Sequence, residues 1–108
     1  MGRRSQHPWL TCEAVLSEAF HLLGARGGAA LGSLLRRDAL QCRFRFAGDT
    51  DRVLKLLEKY ASVPMSFADA CLVRMTEIAS DPVLLTTDGD FHIYRRLGRL
   101  TIPCVLPR

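Results

Sequence analysis

The chain has 108 residues with a formal net charge of +4, and 48% of its residues are hydrophobic. This length supports one small globular domain with a modest core. No apolar run approaches the roughly 20 residues that a membrane-spanning helix needs, so we expect no membrane partner. The basic residues at the start are followed by no apolar signal region, which favours a cytoplasmic protein over a secreted one.

The four cysteines, at positions 12, 42, 71 and 104, are widely spaced and include no Cys-x-x-Cys pair. Three of them lie in apolar stretches, so we interpret the set as reduced thiols of the core. A disulfide or a zinc site is the less favoured alternative. The three histidines have no metal-binding spacing to one another or to a cysteine.

The basic residues include two groups of arginines. Arg43 and Arg45 lie in the middle of the chain, and Arg95 and Arg96 follow an acidic turn. A basic rim around an acidic pocket suits a site that binds a phosphate backbone. Ordinary solvated arginines are the alternative, and these residues taken alone favour it.

The first half of the chain predicts two strands and two helical segments. Residues 1–7 form a polar arm or linker remnant, and the apolar run 8–11 predicts a short buried strand. A helix is expected over about 12–23, where a glycine ends it, and a second amphipathic segment over 29–40. Alternation of polar and apolar residues over 42–46 predicts a half-buried strand.

The second half predicts two longer helices, two strands and one short helix. The helices cover about 50–61, capped by Asp49, and about 66–80. The apolar run 83–86 predicts a strand covered on both faces. A short helix is expected over 91–96, and a last strand over 100–106, at a sheet edge because it contains a proline.

Strands that alternate with helices predict an α/β fold with a parallel sheet and helices on both faces. In such a sheet, helix N-termini and the carboxyl ends of strands meet in the crevice where ligands bind. Asp69 lies at a predicted helix start, and Asp88 and Asp90 follow a predicted strand. Glu18 lies at the edge of an apolar helical stripe, where a carboxylate must be hydrated, paired or bound to a cation.

Clustered carboxylates repel one another unless a cation lies between them. Mg²⁺ and Mn²⁺ prefer oxygen ligands, so these four side chains are candidate ligands for such an ion. Two plainer interpretations stay open. Ser66 and Asp69 are close to a helix capping box, and Glu18 can pair with an arginine instead.

Three segments carry a resemblance to a known family: LTCEAVLSEAFHLL, MSFADACLVRMTEIASDPVLLTTDGDFHIYRR and TIPCVLP. In this order they resemble the PIN-domain ribonucleases, especially the VapC-like toxins of bacterial toxin–antitoxin pairs. The resemblance covers nearly all of residues 8–107. Its most specific part is a helix-initial Ala-Asp-Ala followed about twenty residues later by Thr-x-Asp-x-Asp-Phe.

The resemblance implies a three-layer PIN-like fold and an endoribonuclease that depends on Mg²⁺ or Mn²⁺. It implies that Glu18, Asp69, Asp88 and Asp90 are the catalytic, metal-binding carboxylates. Thr86 and Thr87 are candidate supporting residues, because one or the other corresponds to the residue whose hydroxyl supports the site in the family. The implied partners are an RNA substrate, a cognate antitoxin and a second copy of the chain, and the arginines at 43, 45, 95 and 96 become candidate RNA contacts.

The chain also departs from the family pattern. The family begins with a strand that ends in a metal-binding aspartate, followed by a helix, before the part that matches residues 8–10. No aspartate precedes Asp38 here, so we expect a single PIN-like domain over 8–108 that lacks this strand and helix. The sheet is then expected to have a gap or two unprotected edges in its middle, and metal affinity is expected to fall.

Three hypotheses follow for function. The first is a metal-dependent endoribonuclease that acts as the toxin of a toxin–antitoxin pair. The second is a truncated, catalytically inactive PIN-like module that binds antitoxin or RNA. The third is a marginally stable or unfolded product of a broken gene.

Overall fold

The chain combines helices with parallel strand pairs, as the sequence predicts for an α/β protein. The structure is a computed structural model that describes residues 8–80, 82–85, 91 and 93–105, without the side chains of residues 85 and 105. The elements are β1 (Trp9–Thr11), α1 (Glu13–Arg36), β2 (Leu40–Cys42), α2 (Thr50–Lys59), α3 (Phe67–Ile78), β3 (Leu84–Leu85), β4 (Arg95–Arg96), β5 (Leu100–Thr101) and β6 (Cys104–Val105). They fall into two units, Met1–Arg45 and Phe46–Arg108.

The first unit consists of β1, α1 and β2. The two strands pair in parallel, with Trp9 opposite Leu40 and Thr11 opposite Cys42. The second strand therefore lies two residues earlier than the alternation at 42–46 predicts. The predicted break between two helices is found as a bend in α1, where Gly24 has φ 70° and ψ −169°.

Burial in the first unit is lower than the apolar pattern predicts. No residue of α1 is buried, and Leu22 is 79% exposed. Trp9 and Leu10 of β1 are each 53% exposed, so the prediction of a fully buried strand is wrong for these two side chains. Thr11 and Cys12, at the start of α1, are buried.

The second unit is organised around the packing of α2 on α3. Val53 and Leu56 of α2 and Ala70, Cys71 and Val73 of α3 are buried. These positions recur at helical spacing, which is why the sequence predicts both helices and their inward faces. Ile78, although apolar, is 57% exposed at the end of α3.

The C-terminal third contains two strand pairs. β3 pairs in parallel with β6, and β4 pairs antiparallel with β5. The predicted short helix over 91–96 is wrong, because Arg95 and Arg96 form a strand opposite Leu100 and Thr101. The predicted last strand over 100–106 is divided into β5 and β6.

The described strands form three separate two-stranded sheets. Two of them, β1–β2 and β3–β6, are parallel, as the α/β prediction requires. Within the described residues each pair has no third strand beside it. The pairs belong to different units, so the expected gap in one central sheet stays a prediction.

The cysteines are all free thiols in this structure. Cys12 and Cys71 are buried, as the interpretation of core thiols predicts, whereas Cys42 is exposed and Cys104 is half-buried. Among the described residues, no helix is both long enough and apolar enough to cross a membrane.

Candidate functional site

Asp69 lies in the first turn of α3 and is held there by a capping box. The Ser66 hydroxyl accepts a hydrogen bond from the Asp69 backbone N–H (3.0 Å), and Asp69 Oδ2 accepts one from the Ser66 N–H (3.2 Å). This reciprocal pair satisfies two donors at the helix start, and the carboxylate also suits the positive end of the helix dipole. The capping role that the sequence indicated is confirmed.

A second donor reaches the same carboxylate oxygen. The Tyr94 hydroxyl donates to Asp69 Oδ2 at 3.4 Å, across 25 residues of sequence. In the described part of the chain, no hydrogen bond is made to the other oxygen, Oδ1. Among the described residues, one oxygen of this carboxylate is therefore held by two donors and the other has none.

Tyr94 is fixed in place by other aromatic rings. Its side chain is 0% exposed, and its ring meets the rings of Tyr60 and Phe91 edge to face, with centroids 5.1 and 5.2 Å away. The Tyr60 hydroxyl accepts a hydrogen bond from the Arg95 backbone N–H at 2.8 Å, which ties β4 to α2. Edge-to-face packing of this kind adds to the stability gained from burial.

A second carboxylate of α3, Glu77, is fully engaged in structural contacts. Its Oε1 accepts from Arg74 (3.3 Å) and its Oε2 from the Leu97 backbone N–H (2.8 Å). Arg74 also donates to Asp49 at 2.8 Å, so Asp49 pairs with this arginine and does not cap α2 through its side chain. Burial lowers the pKa of Arg74, but the bonds to Asp49 and Glu77 outweigh it and raise this pKa above its usual value.

The four arginines predicted to contact RNA lie in different surroundings. Arg43 and Arg45 are exposed. Arg96 donates to the carbonyl oxygens of Thr76 (2.7 and 3.0 Å) and Ala79 (2.9 Å), which caps the end of α3. Arg95 donates to the carbonyl oxygens of residues 93 and 94. Arg96 thus has a structural role, and RNA contact by any of the four stays a prediction.

The structure tests the predicted acidic cluster only in part. Glu18 is exposed on α1 in the first unit, and Asp69 is half-buried in the second. Asp88, Asp90, Thr86 and Thr87 lie outside the described residues. Over residues 8–80, 82–85, 91 and 93–105, no group of three His, Cys, Asp or Glu side chains is placed to hold a metal ion.

The donor chemistry of Asp69 nevertheless suits a hard cation. Mg²⁺ and Mn²⁺ are bound in proteins through one or two carboxylates and several waters. A carboxylate with one oxygen fixed by hydrogen bonds and the other without a donor presents a single ligand atom in a defined direction. Asp69 therefore fits the role of a metal ligand, whereas Glu77, with both oxygens in use, does not.

An open groove of about 500 Å³ lies along the second half of α1. Its lining consists of small and basic residues, Gly28, Ala29, Gly32, Ser33, Arg36 and Arg37. It contains none of the predicted carboxylates, so it has no evident connection with metal chemistry.

Comparison with known proteins returned no relative: no family model matches the chain, and no curated protein or solved structure matches it significantly.

Tyr94 is the residue of this site that the sequence did not indicate. The signal available was weak: an apolar and aromatic stretch, with Phe91 and Tyr94 three residues apart, after an acidic turn. A buried tyrosine usually finds a hydrogen-bond partner, so its burial would have predicted a bond but not with which group. The partner lies 25 residues earlier, and local patterns do not reveal such a distant pairing.

Proposed function

We propose that this protein is a divalent-metal-dependent endoribonuclease of PIN-like, three-layer architecture, the toxin component of a toxin–antitoxin pair. The structural observation that supports this is the state of Asp69, with Oδ2 held by two donors and Oδ1 available. The sequence resemblance supplies the rest: Glu18, Asp88 and Asp90 as further carboxylates, Thr86 or Thr87 as a supporting hydroxyl, and Mg²⁺ or Mn²⁺ as the cofactor.

A bound divalent ion would polarise the scissile phosphate and stabilise the leaving oxygen. Asp69, Asp88 and Asp90 would hold it, and Glu18 would orient or deprotonate the attacking water. The exposed Arg43 and Arg45 would attract the phosphate backbone of the RNA. A cognate antitoxin, and a second copy of the chain, are the partners that the proposal includes.

The test is cleavage of single-stranded and structured RNA by the purified chain with Mn²⁺ or Mg²⁺. Asp69→Asn preserves the size of the side chain and one oxygen for the capping bond, but it removes the charge. We expect it to lower the cleavage rate on the order of 100-fold, as loss of a metal ligand does. Asp88→Asn is expected to behave in the same way.

Asp51→Asn is the matched control, because Asp51 is exposed on α2 and pairs with Lys55 one helical turn away. It should leave cleavage unchanged. Equal cleavage by the wild type, Asp69→Asn and Asp88→Asn would remove the assignment of the site.

A catalytically inactive PIN-like module that binds antitoxin or RNA is the second candidate. It is supported by the division of the described strands into separate two-stranded pairs. Calorimetry that detects no Mn²⁺ binding by the folded chain, together with RNA binding that Asp69→Asn does not change, would favour this function over the first.

A further inference from the structure

We infer that Tyr94 is a positioning residue for Asp69, holding Oδ2 of its carboxylate in one orientation for metal binding through Oδ1; this rests on the proposed function. No acid, base or nucleophile role is assigned to the phenol. Its contribution is the hydrogen bond from its hydroxyl to Asp69 Oδ2 at 3.4 Å.

The first step of the argument concerns the carboxylate. The Ser66 N–H alone fixes one oxygen of Asp69 but leaves the plane of the carboxylate free to turn about that bond. A second donor on the same oxygen, approaching from a different element, restricts this turning. Donors that orient a ligating carboxylate in this way commonly affect metal affinity without touching the metal.

The second step concerns the rigidity of the donor. The Tyr94 ring is fully buried between Tyr60 and Phe91, so its hydroxyl cannot follow the carboxylate if that group rotates. β4, which begins directly after Tyr94, is tied to α2 through the Arg95 N–H bond to Tyr60. A fixed donor and a half-buried acceptor together define one orientation of Asp69.

The third step separates positioning from general packing. Tyr60 is also a buried tyrosine of this aromatic cluster, but its hydroxyl bonds to backbone and not to Asp69. Removal of either hydroxyl leaves the rings in place. If both tyrosines were only structural, loss of either hydroxyl would change the Asp69 site to a similar extent. If Tyr94 positions Asp69, only loss of the Tyr94 hydroxyl changes this site.

The experiment compares the full-length wild type, Tyr94→Phe and Tyr60→Phe at pH 7. Mn²⁺ affinity is measured by calorimetry, and the side-chain rotamer of Asp69 by three-bond NMR couplings without metal. We expect Tyr94→Phe to weaken Mn²⁺ binding by about tenfold. Its Asp69 couplings should become averaged over more than one rotamer.

Tyr60→Phe removes the hydroxyl that accepts the bond from the Arg95 N–H, so it should lower the melting temperature more than Tyr94→Phe does. Its Mn²⁺ affinity and Asp69 couplings should match the wild type. Packing alone does not explain a larger loss of stability in Tyr60→Phe together with a loss of Mn²⁺ affinity in Tyr94→Phe.

Couplings and affinity that are the same in Tyr94→Phe and the wild type would overturn the inference. Equal loss of affinity in both variants would also overturn it. If the wild type binds no Mn²⁺, the proposed function fails, and the metal-free couplings of Asp69 alone then decide whether Tyr94 positions this carboxylate.

Discussion

Asp69 and Glu77, two carboxylates of α3, show that the surrounding donors decide what an acidic residue can do. Glu77 has both oxygens occupied, one by Arg74 and one by the Leu97 N–H. Asp69 has both of its hydrogen bonds on Oδ2, so Oδ1 has no protein donor in the described structure. The contacts of Glu77 stabilise the fold, whereas Asp69 keeps one oxygen without a donor in the described structure.

Glu77→Gln tests the structural half of this contrast. The side chain of Glu77 is only 8% exposed, so its two hydrogen bonds are poorly replaced by water. Replacement of the charge and of one acceptor oxygen should lower the free energy of unfolding by about 2 kcal/mol. Urea unfolding followed by circular dichroism measures the change.

Glu58→Gln, on the exposed face of α2, is the control for the same chemical change. It should alter stability by less than about 0.5 kcal/mol. Equal effects of the two substitutions would show that the Glu77 contacts contribute little.

Prediction of single residues from sequence succeeded where the interaction is local. The bonds between Ser66 and Asp69 span three residues, and the capping pattern indicates them directly. The partners of Asp49 and Tyr94 lie 25 residues away in each case, and no local pattern specifies them. Asp49 was accordingly predicted to cap α2, but its side chain pairs with Arg74.

At the scale of elements, Gly24 controls the shape of α1. Its φ of 70° and ψ of −169° lie in a region that side chains with a Cβ rarely adopt. The helix therefore consists of two segments joined at a bend, and the sequence predicted this boundary because glycine is a common helix end. The glycines at 27 and 28 gave the same signal but lie within the second segment.

Gly24→Ala is expected to lower the free energy of unfolding by about 1–3 kcal/mol, because alanine is strained in this conformation. An added Cβ meets no atom within 4 Å, so crowding does not contribute. Gly32→Ala is the matched control, since Gly32 also has open space around it but lies in regular helix. It should raise stability by about 0.5–1 kcal/mol. Greater stability of Gly24→Ala would mean that α1 straightens into one helix when the bend is no longer enforced.

Strand bounds were less predictable than helix bounds. The pairing of β4 with β5 depends on a turn in which both Leu97 and Gly98 have positive φ, 54° and 76°. Gly98 signals such a turn, but leucine rarely adopts this conformation. The pattern over 91–96 was therefore mistaken for a helix, although pairing across this turn makes residues 95 and 96 a strand.

At the scale of the whole molecule, the alternation of helices and strands was sufficient to predict an α/β protein. It was not sufficient to predict how the strands associate, because pairing depends on contacts between distant segments. β1 pairs with β2 across α1, and β3 pairs with β6 across the β4–β5 hairpin. The arrangement of these pairs into the three-layer PIN-like sheet stays part of the proposal.

The pH dependence of stability is a property of the whole chain, and two thiols in different units contribute to its alkaline side. Partial desolvation raises the pKa of the largely exposed Cys42, helped by the charges of Glu13 and Cys12, and burial raises the pKa of the half-buried Cys104. A folded-state pKa above the unfolded value means that the folded protein holds its protons more tightly. The stability from this difference is fully present below the ordinary thiol pKa of 9.0 and is lost as the pH rises through the folded-state values.

We therefore expect the free energy of unfolding in reducing buffer to decline as the pH rises past about 9, whereas near pH 7 the thiols cause no change with pH. Urea unfolding of the wild type and of the double variant Cys42→Ser, Cys104→Ser at a series of pH values measures the difference. Serine does not titrate, so the difference between the two proteins isolates the thiols from lysines and tyrosines that also titrate in this range. A constant difference between pH 7 and 10 would show that the folded protein does not favour the protonated thiols.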